Sequence, residues 1–244
     1  MTSHHPPAPA AVLWDMDGTL VDTEPYWIAA EFALVGEYDG DWTQEDVLAV
    51  VGSGLWTTAE RLRSHGVPLT ADEIVSDLTA RVMRRLAVDG APWRPGAVRM
   101  LREIREAGIR TALVTMSIAP MARAVVEQLG FDGFDTLVTG DAVPEAKPHP
   151  APYLTALDLL GVAAADAVAI EDSVPGVAAA VASGAVTIAV PHVAQVPEAP
   201  DHETWDGLQG RTLADLTRVF AARRAHPASV AGPGTGTSAG GSAS

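Results

Sequence analysis

Five short apolar runs, each of strand length and each separated from the next by a helix-length segment, constrain this chain more than any other feature. They are Ala11 to Trp14, Thr111 to Thr115, Thr136 to Thr139, Val168 to Ile170 and Val186 to Val190. Runs that are apolar on both alternations suit strands buried on two faces, and strands separated by helices pair in parallel through crossovers. The pattern predicts an α/β fold, a doubly wound parallel sheet with helices on both sides. One connection breaks the rhythm. Between Thr23 and Trp93 there is no convincing strand, only segments of helical periodicity, two of them opened by capping-box-like stretches at Thr43-Gln-Glu-Asp and Thr70-Ala-Asp-Glu. The expected organisation is therefore discontinuous: an α/β core domain over 1–22 and 94–224, and a small helical domain over 23–93 inserted after the first strand. Pro25 favours a helix start at the first crossing, and Pro92-Trp93-Arg94-Pro95-Gly96 marks the second. Residues 225–244 are almost all small or turn-forming and are expected to form a disordered tail.

Charge narrows the partners. Sixteen Lys and Arg stand against 31 Asp and Glu, a formal charge of −15 in 244 residues. Such a chain is repelled by a phosphate backbone and by an anionic lipid surface, so neither nucleic acid nor membrane is expected as a partner. With 48% hydrophobic residues it can bury a sizeable core, and with no cysteine it has neither disulfides nor thiolate chemistry. No basic leader followed by a long apolar run is visible, and a cytoplasmic location is expected.

The chemistry starts where the first strand ends, in Leu13-Trp14-Asp15-Met16-Asp17-Gly18-Thr19-Leu20. Ligands of open parallel sheets bind at the carboxyl ends of strands, which delivers Asp15 to the site with Asp17 two residues on. Two carboxylates this close repel each other unless a cation intervenes or one holds a proton, an asymmetry that suits a nucleophile beside an acid. A lone Asp-x-Asp-Gly stretch is equally an ordinary polar turn. Three further strand ends carry matching features. Thr115-Met116-Ser117 brings hydroxyls and amides to a helix start near Ala119, a place that can hold an anion. Lys147 stands between prolines and acids in Glu145-Ala146-Lys147-Pro148, and Glu171-Asp172-Ser173 closes another strand with two acids. The natural cation for the oxygen-rich, cysteine-free set Asp15, Asp17, Glu171 and Asp172 is Mg²⁺.

These four segments in this order resemble the haloacid dehalogenase superfamily, within it the phosphatases and β-phosphoglucomutase-like enzymes that carry a helical cap after the first strand of a Rossmann-like core. The resemblance covers about Ala10 to Val190. It implies that Asp15 attacks phosphorus to form an aspartyl-phosphate and that Asp17 protonates the leaving oxygen and then activates water. It further implies that Thr115, Met116, Ser117 and Lys147 bind the phosphoryl group. Mg²⁺ is implied on the Asp15 carboxylate, the Asp17 carbonyl and the Asp172 carboxylate, with Glu171 contributing through water. Asp17 also favours phosphoryl chemistry over halide release, which needs no proton. Val51-Gly52-Ser53-Gly54 resembles the cap loop that faces the active site, which makes Gly52, Ser53 and Leu55 candidates for substrate contact. Trp27, Trp42 and Trp56 also lie in the insertion and are expected chiefly to fill its core. Met116 departs from the small or amide residues usual at its position.

The resulting expectation is a Mg²⁺-dependent phosphatase of a small phosphorylated metabolite such as a sugar phosphate, acting as a monomer or weak homodimer. A phosphosugar mutase of the same fold is the alternative. Mutases of this fold place basic residues one before and three after the cap-loop glycine, where this chain has Val51 and Leu55, and Arg61 and Arg63 lie further along. A non-catalytic sensor of a phosphorylated ligand is a third reading, weighed against by the complete set of nucleophile, acid, cation and metal ligands.

Overall fold

The computed structural model describes residues 7–225. Strands β1 (Ala11–Trp14), β2 (Arg110–Val114), β3 (Thr136–Val138), β4 (Ala167–Glu171), β5 (Val186–Ala189) and β6 (His202–Thr204) form one parallel sheet in the order β3-β2-β1-β4-β5-β6. The five apolar runs fall on β1 to β5 within a residue of their expected bounds. β6 was not expected. Its residues, His-Glu-Thr, have no apolar run, and pairing with β5 is what makes them a strand. Apart from Ala225, which ends the last helix, the segment expected to form a disordered tail lies outside the described residues.

The sheet is buried on both faces because alternate residues serve two separate cores. Val12 and Trp14 of β1, Leu113 of β2 and Ile170 of β4 pack with Met100, Leu101 and Ile104 of α5 (Ala97–Glu106) and with Leu216 and Phe220 of α9 (Leu213–Ala225). Ala11, Leu13, Ala112 and Ala169 point the other way. They meet Tyr153, Ala156 and Leu157 of α7 (Ala151–Leu160) and Ala179 and Ala180 of α8 (Val174–Ser183). Alanines on this second face let α7 and α8 lie close to the sheet. The helix α6 (Ala119–Val126) follows β2.

The segment after β1 is helical, as its periodicity predicts. It forms α1 (Glu24–Gly36), α2 (Gln44–Val50), α3 (Leu55–Ser64) and α4 (Ala71–Asp89). Both capping boxes form: Thr43 and Asp46 cap α2 reciprocally, and Thr70 and Glu73 cap α4. Each satisfies two of the amide donors that a helix start leaves without partners. Leu34, Leu62, Ile74, Leu78, Val82 and Leu86 fill the space between these helices. The two chain crossings run side by side, the Asp22 amide donating to the Pro92 carbonyl (2.8 Å) and the Arg94 amide to the Leu20 carbonyl (3.0 Å). Among the described residues no helix is long and apolar enough to cross a membrane.

Candidate active site

The ends of β1, β2 and β4 converge on one cavity. Asp15 is the first residue past β1, and its amide donates to the Ile170 carbonyl (3.0 Å), which pins it beside the end of β4. The chain then reverses at Gly18, where φ is +92° and a Cβ would fall 2.1 Å from an Asp172 carboxylate oxygen. Only glycine allows both that turn and that approach.

Lys147 ties the site together. Its ammonium, buried, donates to Asp15 Oδ1 (2.7 Å), to the Val114 carbonyl (2.9 Å) and to Glu171 Oε1. Those three acceptors use all three of its donors. Glu171 is fully buried and also accepts from the Tyr153 hydroxyl (2.8 Å), while its second oxygen accepts from the Asp172 amide (3.1 Å) and the Ser173 hydroxyl (3.3 Å). Glu171, expected to reach a metal through water, thus has both oxygens engaged as an anchor for Lys147 and for the start of α8. Tyr153, absent from the sequence expectations, supports that anchor from α7.

Oxygens of Asp15, Glu171 and Asp172 lie within 4.8 Å of one another, all three residues buried. Against three carboxylates stands one ammonium, leaving two negative charges uncompensated when all are ionised. Burial, then Glu171, pushes the Asp15 carboxyl up to about 7 in spite of Lys147. Burial, then Asp15 and Glu171, holds Asp172 well above the carboxylate range. Burial opposes the charge on Lys147, but Asp15 and Glu171 outweigh it and raise its pKa. Asp15 Oδ2 is buried with no hydrogen-bond partner. An orphaned carboxylate oxygen, a hard-oxygen donor set and a deficit of two positive charges fit a divalent cation such as Mg²⁺.

Asp17 faces the same cavity and collects four donors. Thr115 (3.2 Å) and Ser117 (2.8 Å) donate to Oδ2 from the end of β2, while Thr23 and the Trp27 indole (3.2 Å) donate to Oδ1 from the inserted segment. Met116 turns its sulfur to the Lys147 amide (3.4 Å) and lines the cavity. The loop between α2 and α3 closes the opposite side. Gly52, with φ +74°, would set a Cβ 2.5 Å from the side chain of Ser173, so this loop lies directly on the end of β4. Gly52, Ser53 and Leu55, the residues expected at the cap loop, line the cavity.

The three tryptophans part company. Trp42 is buried among the inserted helices, Trp56 is 38% exposed and donates to Asp72 (2.7 Å), and Trp27 both packs and touches Asp17. Arg61 pairs with Asp46 (2.7 Å) and Arg63 with Glu60 (2.9 Å), and neither lines the cavity. Two acids that do line it were not anticipated, Glu24 and Glu31 of α1. Burial first, then the charges of Asp17 and Glu31, pushes Glu24 up to about 8. Burial pushes Glu31 up to about 7, with a hydrogen bond from the Trp42 indole (3.2 Å) pulling the other way. Their only sequence signal was a spacing of seven, two turns along one helix face.

A folded-state pKa raised above the unfolded value makes ionisation of Glu31 a burden on the fold that is absent well below pH 4.5, grows as pH rises, and levels off above about pH 7. Glu31→Gln keeps an acceptor for Trp42 and removes the charge. We expect it to be more stable than wild type by about 3 kcal/mol at pH 8 and nearly equal at pH 4.5, read by denaturant unfolding at both pH values.

Fold and site together define an α/β protein with carboxylates and one lysine gathered at the strand ends of a parallel sheet. Residues 9–184 match the family model for haloacid dehalogenase-like hydrolases, and the chain belongs to that family. It is similar to hexitol phosphatase A of Escherichia coli strain K12, 32% identical over 192 residues, which covers 76% of this chain and 84% of the relative. It is also similar to phosphoglycolate phosphatase of Rhodospirillum rubrum, 35% identical over 185 residues, covering 72% and 77%. Among solved structures, a CbbY variant from Rhodobacter sphaeroides bound to xylulose-(1,5)bisphosphate superimposes with a TM-score of 0.75 at 28% identity, covering 83% of this chain and 96% of that one.

Proposed function

We propose that the chain is a Mg²⁺-dependent phosphoric monoester hydrolase of a small, sugar-like phosphate, working through an aspartyl-phosphate on Asp15. The observation that carries this reading is the convergence of Asp15 and Asp17 with Thr115, Ser117 and Lys147 on one cavity. Relatives named as hexitol and phosphoglycolate phosphatases support it. Asp15 attacks phosphorus as the bond to the leaving oxygen breaks, and the proton of Asp17 goes to the departing alkoxide. Water then attacks the acyl-phosphate and gives its proton to Asp17, which frees inorganic phosphate and restores Asp15. The Thr115 and Ser117 hydroxyls, which donate to Asp17 here, are near enough to turn to phosphoryl oxygens when substrate arrives. Lys147, with every donor in use, acts as a fixed charge that orients Asp15.

Asp15, the Asp17 carbonyl and Asp172 would hold the metal, which when bound supplies the positive charge that lets a dianionic ester approach a carboxylate. Mg²⁺ should raise the unfolding free energy by about 2.7 kcal/mol at a hundredfold excess over Kd, and EDTA should reverse it. In Asp172→Ala the Mg²⁺ shift should vanish, and an undiminished shift there would place the metal elsewhere.

On this reading 23–93 is a cap that closes over the core formed by 1–22 and 94–224, and the Gly52 loop is one of its contacts with that core. Gly52→Ala strains a positive φ and pushes a methyl into Ser173, so the cap seats poorly. A misplacement on this scale should cost about 10²-fold in kcat/KM, while the strain lowers the thermal transition by a few degrees and leaves the chain folded. Wild-type kcat/KM would contradict the cap role of this loop. The decisive test of the activity is phosphate release from p-nitrophenyl phosphate and a panel of sugar phosphates, with and without Mg²⁺. A mutase is disfavoured by the pairing of Arg61 and Arg63 outside the cavity. Interconversion of glucose 1-phosphate and glucose 6-phosphate outpacing phosphate release would reverse the choice.

A further inference from the structure

The cavity has a second chemistry away from the phosphate end. Positions 24, 27, 28 and 31 of α1 fall on one helix face, and all four side chains line the cavity. Trp27 marks the reacting end by its bond to Asp17, and Glu31 lies one turn beyond it. Glu24 is only 8% exposed and accepts no hydrogen bond from any described residue. Glu31 is 6% exposed. One of its oxygens accepts from the Trp42 indole (3.2 Å), and the other has no partner among the described residues. Carboxyl groups taken this far from water with so few donors are costly to the fold, and a donor brought by a ligand would repay them. On the α2–α3 side Val47, Val50, Val51 and Leu55 are apolar, and Ser53 and Thr58 offer neutral hydroxyls without charge. Lys147 is the only cationic side chain among the described residues lining the cavity, and Asp15, Glu171 and the Val114 carbonyl already occupy it.

Resting on the phosphatase reading, we infer that Glu31 selects the part of the substrate remote from the phosphate. That part donates hydrogen bonds and carries no negative charge: a hydroxyl or an ammonium group. A carboxylate or a second phosphate there meets the Glu31 acid and no free cation. Like charges brought together out of water cost several kcal/mol, which is ample for discrimination of about 10²-fold or more. This separates the cavity from one built for a bisphosphate, the ligand held by the CbbY variant.

The test uses three monophosphates with the same six-carbon chain that differ only at the carbon farthest from the phosphate: glucitol 6-phosphate (alcohol), 1-amino-1-deoxyglucitol 6-phosphate (amine) and 6-phosphogluconate (carboxylate). Phosphate release is followed with Mg²⁺ present. For the wild type we expect kcat/KM for the alcohol and the amine to exceed that for the carboxylate by about 10²-fold or more, the faster of the two identifying the preferred donor. Glu31→Gln should narrow the alcohol-to-carboxylate ratio by at least about tenfold. Equal kcat/KM for alcohol and carboxylate in the wild type, or an unchanged ratio in the variant, overturns the assignment of Glu31. p-Nitrophenyl phosphate, which has no such remote group, reports separately on the chemistry. Release from none of the four substrates would overturn the phosphatase reading itself.

Discussion

Asp15→Asn removes turnover by at least about 10⁴-fold while the chain stays folded. The amide is nearly the same size as the carboxylate and still accepts a hydrogen bond from Lys147, so the contacts at the end of β1 persist. What disappears is the nucleophile, together with one of three carboxylates crowded around a single ammonium. Asp15 is held up to about 7 by burial and by Glu171, so its charge is a burden on the folded state at neutral pH. The variant should therefore unfold at the same temperature as wild type or above it when Mg²⁺ is absent. Steady-state release from p-nitrophenyl phosphate and a thermal scan without metal check both halves. Activity within tenfold of wild type would remove Asp15 from its role, and a collapsed thermal transition would show that the residue holds the fold.

Lys147→Met is the complementary experiment, because it destroys both stability and function. Methionine fills a similar volume but leaves Asp15 and Glu171 buried without their cation and the Val114 carbonyl without its donor. Removing one partner from a buried ion pair costs about 3–5 kcal/mol, and losing the fixed charge beside the nucleophile should lower kcat by about 10³-fold. The sign of the pH dependence follows from the carboxylates. Without the ammonium the charged form of Asp15, already disfavoured by burial, is disfavoured further in the folded state, so the deficit is greatest at alkaline pH and shrinks as the pH falls and Asp15 takes up a proton. Adding Glu171→Gln to Lys147→Met removes a charge of each sign and should recover part of the lost stability with no recovery of turnover. Denaturant unfolding at two pH values and a rate assay separate these outcomes. A double variant no more stable than the single one would show that the loss is one of packing.

How the site is assembled explains which parts of it were legible beforehand. Asp15, Asp17, Thr115, Lys147 and Asp172 each sit in a segment whose own residues mark it: an apolar run that ends in an acid or hydroxyl, or a lysine framed by prolines. The structure brings Asp15, Asp17, Thr115 and Lys147 around one cavity and sets Asp172 beside Asp15 at the end of β4. Tyr153 had no such mark. It lies inside α7 among apolar neighbours, and only the packing of α7 on the sheet carries its hydroxyl to Glu171. Trp27 was expected chiefly to pack, and it does, but its indole also reaches Asp17 because α1 starts directly after the first crossing. Glu31 had no mark beyond its spacing from Glu24, and only the packed fold buries it and brings the Trp42 indole to it.

The sequence by itself determined what depends on neighbours along the chain. The strands β1 to β5 follow from their apolar runs, α2 and α4 from reciprocal capping by residues three apart, and the turn after Asp15 from a glycine that alone accepts φ of +92°. Each is a short-range preference worth a fraction of a kcal/mol to a few kcal/mol, set by residues that are close whatever the rest of the chain does. Only the tertiary structure decided what lies across the fold. The ion pair of Lys147 with Asp15 spans 132 positions and the bond from Ser117 to Asp17 spans 100. β6 exists only as a partner of β5, and the acids of α1 line a cavity only because residues of α2 and of the strand ends form its other sides. Burial is a collective property of the packed chain, and burial is what turns Glu24, Glu31 and Asp15 from common surface acids into groups held near neutrality.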